Sequence, residues 1–312
     1  MQLVTTAEHT IKSPTIVTIG TFDGVHLGHQ KIIERLIGTA AATGLKATIL
    51  TFFPHPRMVL QQASDLKLIN TIEERIELLK ESGIDYLFVY PFDKEFSRLS
   101  AEEYVEKILV QKINAKTVVI GYDHRFGRNR TANITQLITY GETYGFDVEE
   151  ITAELVDDVS VSSTKIRNAI IEKDIKTANT YLGYHFFITG TVVRGRGIGR
   201  ELLYPTANIQ IKENYKLIPP IGVYLVYSII NNKKVFGMLS IGYNPTIADD
   251  IPKTIEVNFL DLDADLYDQK LRIHFLEYLR GEEKFSSLEA LKKQLDLDKE
   301  NCLTLMKEYN AQ

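Results

Sequence analysis

The segment Gly20-Thr21-Phe22-Asp23-Gly24-Val25-His26-Leu27-Gly28-His29 sets two imidazoles three residues apart in a glycine-rich stretch. It follows the apolar run Thr15 to Ile19 and precedes an amphipathic stretch, Gln30 to Thr43, so it reads as a strand-to-helix turn with both histidines at the first helical turn. Backbone N–H groups at a helix start have no intrahelical partner, and the helix dipole is positive there, so such a turn seats phosphate. Gly20, Phe22, Asp23, Gly24 and Gly28 are the candidate nucleotide-phosphate contacts, with His26 and His29 at the reacting centre. Solvated or structural histidines would write the same letters. A metal centre lacks a third His, Cys or carboxylate at ligand spacing, and the GxGxxG dinucleotide fingerprint is absent.

Further along, Ser162-Ser163-Thr164-Lys165-Ile166-Arg167 opens a helical pattern, where Ser or Thr is an ordinary N-cap. Pro54-His55-Pro56 is a rigid turn. Between Gly190 and Asn208, Gly195, Gly197 and Gly199 allow close backbone approach to phosphate, and Arg194, Arg196 and Arg200 supply charge. The Gly-Lys-Ser/Thr ending of a Walker loop is missing, and a flexible hairpin would fit the same run. Pro205-Thr206-Ala207-Asn208 follows directly. In Thr254 to Leu260 the apolar Ile255, Val257 and Phe259 share one strand face, which puts Glu256 on the other, toward solvent or a pocket.

These groups need two kinds of scaffold. In the first half, strand signals at Thr15 to Ile19, Ala47 to Phe53, Tyr86 to Tyr90, Thr117 to Ile120 and Asp147 to Ile151 alternate with helical stretches. Two of those helices open on capping boxes, Thr71 with Glu74 and Ser100 with Glu103. Strand, helix and strand in this rhythm predict an α/β domain with a parallel sheet, helices on both faces and ligand loops at the strands' carboxyl ends. From about His185 period-two runs take over: Phe186 to Val193, Gly222 to Ile230, Lys234 to Ile241, Thr254 to Leu260 and Gln269 to Leu276. They predict an antiparallel sheet or small barrel, closed by two helices, the first opened by Ser286 with Glu289. The boundary is expected at Gly183, giving domains 1–183 and 184–312.

Composition narrows the partners. The chain of 312 residues is 44% apolar and 25% charged, as soluble globular chains are. Residues 1–184 hold 20 Lys+Arg against 24 Asp+Glu and the rest 16 against 17, so neither half offers the basic surface a nucleic-acid binder needs. No apolar run approaches the ~20 residues of a membrane span, and the N-terminus shows no basic-then-apolar leader. One cysteine, Cys302, excludes an internal disulfide. A cytoplasmic protein acting on small molecules, with no nucleic-acid or membrane partner, is expected.

The first motif resembles the HxGH signature of the nucleotidyltransferase superfamily, and Ser162 to Arg167 resembles its S-S-T-x-x-R element. The segments Thr51 to Pro56 and Gly121 to Arg130 are similar to pocket-lining loops of the adenylyltransferase module in bacterial bifunctional riboflavin kinase/FAD synthetases. In the second loop His124 stands where Phe is usual, and Arg128-Asn129-Arg130 replaces a Lys-Gly-Arg-like run. Pro205 to Asn208 resembles the magnesium-binding PTAN signature of riboflavin kinases, here after Leu203-Tyr204 where Gly-Phe or Gly-Trp is common. The later family pattern recurs in Thr254 to Asp261, Tyr267, Tyr278 to Phe285, Gln294 and Asp298.

The resemblance spans about Thr15 to Asp298. It implies a Rossmann-like FMN adenylyltransferase domain followed by a mostly antiparallel six-stranded riboflavin kinase β-barrel with C-terminal helices. It also implies Mg2+, ATP as co-substrate, and riboflavin, FMN and FAD as substrates and products. By the same resemblance His26, His29 and Arg167 steady the α-phosphate, Glu256 is the base, and Thr206 and Asn208 are metal ligands. Pro54, His55, Pro56, Asp123, Arg125, Phe126, Arg280 and Phe285 then face flavin, with Tyr204 a further aromatic candidate. Other HxGH enzymes leave PTAN and Glu256 idle, a class I aminoacyl-tRNA synthetase would carry KMSKS, and a non-catalytic flavin or RNA regulator would have lost catalytic residues that this chain keeps.

Overall fold

The computed structural model describes residues 1–6, 9–60, 65–121, 124–151, 161–195, 203–243 and 253–310. It forms two compact units, Met1–Ser163 and Thr164–Gln312. The first contains β1 (Gln2–Val4), β2 (Thr15–Ile19), α1 (Leu27–Thr43), β3 (Lys46–Phe53), α2 (Pro56–Leu60), α3 (Ile72–Glu81), β4 (Tyr86–Pro91), α4 (Ala101–Tyr104), β5 (Ala115–Gly121), α5 (Ile134–Tyr144) and β6 (Asp147–Ile151). The six strands run in the order β1-β4-β3-β2-β5-β6, every neighbouring pair parallel.

Parallel sheets need cover on both faces, and alternation along these strands supplies it. Val17, Leu50, Phe88 and Val118 face one core with Tyr104 and Leu137, whereas Ile16, Ile49, Leu87 and Val119 face another with Ile33, Leu36, Ile72 and Leu79. Both capping boxes are made: Thr71 and Glu74 start α3, and Ser100 and Glu103 start α4, which continues as a π-helical turn over Val105–Val110. The loops after β2, β3 and β5 leave the carboxyl ends of their strands, where ligand groups of such sheets gather. The edge strand β1 lies outside the expected set, because three residues carry no readable period.

In the second unit α6 (Ser163–Ile171) and α7 (Ile175–Leu182) precede β7 (Phe187–Val193), β8 (Ala207–Gln210), β9 (Gly222–Ile230), β10 (Lys233–Tyr243), β11 (Lys253–Phe259), β12 (Lys270–Arg280) and α8 (Leu288–Asn310). The strands close a barrel in the order β10-β11-β8-β7-β12-β9, all antiparallel. The short β8 is the barrel strand that the period-two pattern does not single out, and it begins inside Pro205 to Asn208.

The C-terminal segment departs from expectation. The chain closes with one helix rather than two, because no Pro or Gly interrupts residues 288–310 and Cys302, Leu305, Met306 and Tyr309 pack it onto the barrel. Its opening turn is capped by Ser287, whose Oγ accepts from Ala290 N–H at 3.1 Å, and not by Ser286. Compact packing also divides the chain at Ser163/Thr164, upstream of Gly183, because α7 is bonded to barrel strands. Lys176 pairs with Glu277 at 2.8 Å. Asn179 donates from Nδ2 to the Phe275 carbonyl at 2.9 Å and accepts the Phe186 N–H on Oδ1 at 2.6 Å.

Losing that bridge leaves two backbone groups unpaired, so Asn179→Ala should destabilise the second unit by about 2 kcal/mol. Urea unfolding of the full chain, followed by circular dichroism, measures it. An unchanged midpoint would show the bridge to be replaced by solvent at no cost.

Candidate functional site

The loop between β2 and α1 is wound tightly. Phe22 (φ 49°), Gly24 (φ 89°) and Val25 (φ 37°) all take positive φ, which is rare for an aromatic and rarer for a β-branched residue. What holds them there is mostly burial. Asp23 has no exposed surface, and its carboxylate accepts the N–H groups of Ile69 and Asn70, each at 3.2 Å. Gly20 donates to the Leu50 carbonyl at 3.1 Å, fixing the loop's root to β3. Asp23 is therefore the loop's anchor, and its carboxylate is committed to the backbone ahead of α3.

His26 sits at the N-cap of α1 in an extended conformation, with no side-chain capping bond. Its ring stacks on that of His29, centroids 3.7 Å apart and planes 18° from parallel, while Phe22 closes on His29 at 5.0 Å. A Cβ at Gly28 would stand 3.3 Å from the His26 ring, so glycine gives the stack room. Burial lowers the His26 pKa to about 4 against an opposing pull from Asp23. Burial, then His26, then the Arg75 cation hold His29 well below the ordinary range. Both rings are thus neutral near neutral pH, each with one N–H donor and one acceptor. The Nδ1 atoms of both are buried without a hydrogen-bond partner among the described residues. Stacked neutral donors at a helix N-terminus suit a phosphate whose charge grows as it reacts.

The other candidates for the first chemistry come from three segments. Ser163 Oγ donates to the Asp23 carbonyl at 2.9 Å, joining the S-S-T-x-x-R segment's start to the phosphate loop. Thr164 is exposed, and Arg167 is half-buried one turn into α6. Pro54 is exposed after a cis peptide bond, Pro56 occupies the first turn of α2, and buried His55 accepts the Arg57 N–H on Nδ1 at 3.1 Å. His55 thereby caps a helix. Phe126 is buried and bridges Ala132 through the backbone, whereas Arg125 is exposed. Asp123 lies outside the described residues.

Aromatic residues between these loops went unnoticed in the sequence. Phe52 meets Phe96 at 5.6 Å, Tyr90 meets Phe96 at 4.8 Å, Phe96 meets Tyr104 at 6.0 Å, and Tyr104 meets Phe126 at 5.8 Å. They come from β3, β4, the 3-10 turn at Phe96–Arg98, α4 and the β5 loop, so only the fold collects them. Each was legible singly as core.

The second unit has its own cluster, built on strand register. In the antiparallel pairing of β11 with β8, Glu256 stands opposite Asn208. Thr206 donates from Oγ1 to Glu256 Oε2 at 3.0 Å, and Asn258, two residues along the same strand face, donates to the Pro205 carbonyl at 2.8 Å. The Pro205 to Asn208 segment is thus held at both ends by one face of β11. A Cβ at Gly195 would overlap the Asn208 amide, which is why glycine stands where the preceding loop crosses this strand. Gly197, Gly199 and Arg200 lie outside the described residues.

Leu203 takes φ 65° with 77% of its surface exposed, a strained position for a branched apolar residue. Tyr204 is buried, and its hydroxyl donates to Asp296 Oδ1 at 2.5 Å. Arg280 is committed within the unit: Nε and Nη2 bind Asp298 at 2.9 and 2.7 Å, Nη1 binds the Gly281 carbonyl at 2.8 Å, and Gln294 completes Asp298 at 2.9 Å. Phe285 lies half-buried, its ring 5.9 Å from the Arg280 guanidinium.

Comparison with known proteins follows the same division. A family model described as FAD synthetase matches residues 8–165, and one described as riboflavin kinase matches residues 182–306. A bifunctional riboflavin kinase/FMN adenylyltransferase of Listeria monocytogenes is 37% identical over 92% of this chain and 90% of its own length. That of Bacillus subtilis is 32% identical over 96% of both. A crystal structure from Streptococcus pneumoniae, solved as a macrolide-efflux protein, superposes with a TM-score of 0.86 at 30% identity over 96% of this chain and 97% of that one.

The buried imidazoles make the first unit's stability depend on pH. The folded pKa of His26 is lowered from 6.5 to about 4, so between these values the unfolded chain binds the proton that the folded one refuses. Stability is full above about pH 6.5 and falls as pH drops toward the folded value, by on the order of 3 kcal/mol for this one group. Urea midpoints of the wild type at about pH 7 and about pH 5 should therefore differ more than those of His26→Gln. Parallel slopes in the two proteins would mean that His26 is not buried neutral.

Proposed function

The chain belongs to the bifunctional riboflavin kinase/FMN adenylyltransferase family, and on that premise we propose how its residues divide two reactions, the phosphorylation of riboflavin to FMN with ATP and the adenylylation of FMN to FAD with release of pyrophosphate. One observation carries the proposal: each matched segment contains its own built cluster, stacked neutral histidines in one and the Thr206–Glu256 pair in the other. We assign adenylyl transfer to residues 1–183 and phosphoryl transfer to residues 184–312, with residues 164–182 grouped in the second compact unit although the S-S-T-x-x-R element belongs to the first chemistry.

In adenylyl transfer the attacking FMN phosphate is already an anion, so no general base is needed. The requirement is to hold the α-phosphate in line and to meet the charge that builds on it and on pyrophosphate. His26 and His29 supply N–H donors, and the N-terminus of α1 supplies its dipole. Ser163, bonded to the Asp23 carbonyl, keeps the next element's start against the loop. Arg167 is given the role of phosphate cation on the strength of the S-S-T-x-x-R resemblance. The collected rings of Phe52, Tyr90, Phe96 and Phe126 are of the type that a planar flavin stacks on, and Pro54, His55 and Pro56 are assigned to the flavin by the family resemblance.

Riboflavin kinase chemistry differs because a neutral hydroxyl must lose its proton. Glu256 is the base in this proposal, a half-buried carboxylate at the mouth of β8. Thr206 and Asn208 offer a hydroxyl and an amide oxygen, hard donors of the kind Mg2+ takes together with phosphate and water. The donor chemistry fits, and a bound Mg2+ would neutralise phosphate charge there. Thr206, by donating to Glu256, orients the carboxylate and keeps its own lone pairs available. Arg280, locked on Asp298, and Phe285 make a stiff flavin-facing edge. Gly195, Gly197, Gly199 and Arg200 are assigned to the ATP phosphates.

A cytoplasmic location accompanies this proposal, since its substrates are soluble metabolites and the chain carries a single cysteine. Transport, the activity in the name of the pneumococcal structure, finds no support among the described residues, where no helix is long and apolar enough to cross a membrane.

With riboflavin, ATP and Mg2+, the purified chain should yield FMN and then FAD, resolved by chromatography. His29→Ala should stop FAD and spare FMN, and Glu256→Ala should stop FMN from riboflavin yet still convert supplied FMN to FAD. Loss of both products from either folded variant would overturn the two-site division.

A further inference from the structure

The two family models leave residues 166–181 between them, matched by neither. That linker holds most of α6, the turn after it and most of α7, and it runs along one barrel strand. Asn179 binds the Phe275 carbonyl and the Phe186 N–H, Lys176 pairs with Glu277 at 2.8 Å, and Lys173 meets Tyr278. Three linker residues, each three apart, thus follow β12 toward its end at Arg280. Asn179 and Lys176 serve as anchors. Lys173 is the one whose backbone is strained.

Lys173 closes α6 in the left-handed conformation, at φ 68°. Its N–H donates to the Ile170 carbonyl at 3.1 Å and the Asp174 N–H to the Ala169 carbonyl at 2.8 Å, the paired hydrogen bonds of a Schellman cap. Glycine takes that position without strain, and the chain uses it so after α1, α5 and α7, at Gly44, Gly145 and Gly183. An L residue with a long side chain is disfavoured there. What lysine brings is an ammonium that donates to the Tyr278 hydroxyl at 3.2 Å and stands 4.7 Å from the centre of its ring.

Tyr278 lies on an irregular stretch of strand. The pairing of β12 with β9 shifts register between Phe275 and Glu277 and again between Tyr278 and Arg280, and each shift interrupts the ladder that would otherwise fix the strand end. Side chains seat the ring instead. Tyr224 meets it at 5.4 Å with planes 64° apart, and a Cβ at Gly222 would stand 2.5 Å from the ring and 2.8 Å from the Arg280 carbonyl, so glycine clears the seat. The hydroxyl reaches the next turn: a Cβ at Gly281 would be 3.5 Å from it, and Arg280 Nη1 donates to the Gly281 carbonyl at 2.8 Å.

We propose that Lys173 is a positioning residue for riboflavin phosphorylation, which by pinning Tyr278 fixes the end of β12 that carries Arg280 and leads to Phe285, the edge assigned to flavin. The proposal rests on the riboflavin kinase assignment made above. It makes the linker between the two matched segments a working part of the second site.

The test uses the full chain carrying Lys173→Gly, which keeps the cap of α6 and removes the ammonium, or Lys173→Arg, which keeps a cation. Initial rates of FMN formation are measured against riboflavin and against ATP, with FAD formation from supplied FMN in parallel and thermal unfolding as the check on folding. Lys173→Gly should raise KM for riboflavin about tenfold, the scale of one lost hydrogen bond to a charged group. KM for ATP and FAD formation should stay unchanged, and unfolding should remain close to the wild-type temperature, since relief of backbone strain offsets the lost contact. Lys173→Arg should return KM for riboflavin to within about twofold of wild type. In a Tyr278→Leu background Lys173→Gly should add nothing, because the ammonium acts through that ring. Should the leucine variant fail to fold, Tyr278→Phe takes its place, and the effect of Lys173→Gly should be smaller there than in the wild type.

A wild-type KM for riboflavin in Lys173→Gly would overturn the inference. So would an arginine variant as impaired as the glycine one, an undiminished effect on top of the Tyr278 change, or an equal rise in KM for ATP, each of which marks a general disturbance of the unit. A wild-type protein that makes no FMN would instead overturn the kinase assignment, and this inference with it.

Discussion

The Asp23 carboxylate is the constraint on which the first site rests. A carboxylate with no exposed surface is expensive unless its oxygens are met by donors, and here the N–H groups of Ile69 and Asn70 meet one oxygen each. Those donors fix the distance between the loop after β2 and the start of α3. With that distance set, Phe22 and Val25 are held at positive φ, the two imidazoles are pressed together, and Phe22 closes over them. Burial then lowers the histidine pKa values. Strain and stacking thus follow from one anchored anion, while burial makes the rings neutral against that anion's pull.

The second site is built on a different principle. No positive φ stands within Thr206 to Asn208 or at Glu256, and the cluster depends on register. Because side chains alternate along a strand, Glu256 and Asn258 share a face, and that face holds Thr206 and Pro205. A slip of one residue would send Glu256 to the other side of β11. The barrel prevents it by closure, since β11 is bounded by β10 on one side and β8 on the other.

This difference explains what was legible in the chain. Period-two and βαβ patterns announce the sheet and most of the barrel, because each strand carries its own apolar face; Thr15–Ile19 and Gly222–Ile230 fall where alternation and β-branching place them. Capping boxes at Thr71 and Ser100 are local and equally readable. The three-residue β1 and four-residue β8 are too short to hold a period, and only neighbouring strands define them. Motif residues were legible as types, while their partners were not. Nothing local pairs Arg280 with Asp298, Asp23 with Asn70 or Lys173 with Tyr278. The aromatic set from Phe52 to Phe126 has the same character, each member a core residue until the strands' carboxyl ends bring it to the others.

The two electrostatic designs match the two nucleophiles. An attacking phosphate brings its own charge, so a site for it gains from neutral donors and distant cations that do not compete for protons, which is what burial makes of His26 and His29. An attacking hydroxyl brings a proton that must leave, so its site needs an ionised acceptor, and an acceptor stays ionised only where it is partly hydrated and hydrogen-bonded. Glu256 receives the Thr206 hydroxyl, whereas the histidine pair, its Nδ1 atoms buried, receives nothing from the described residues at those atoms. The two proposed roles thus rest on different constructions, a strained loop in one unit and strand register in the other.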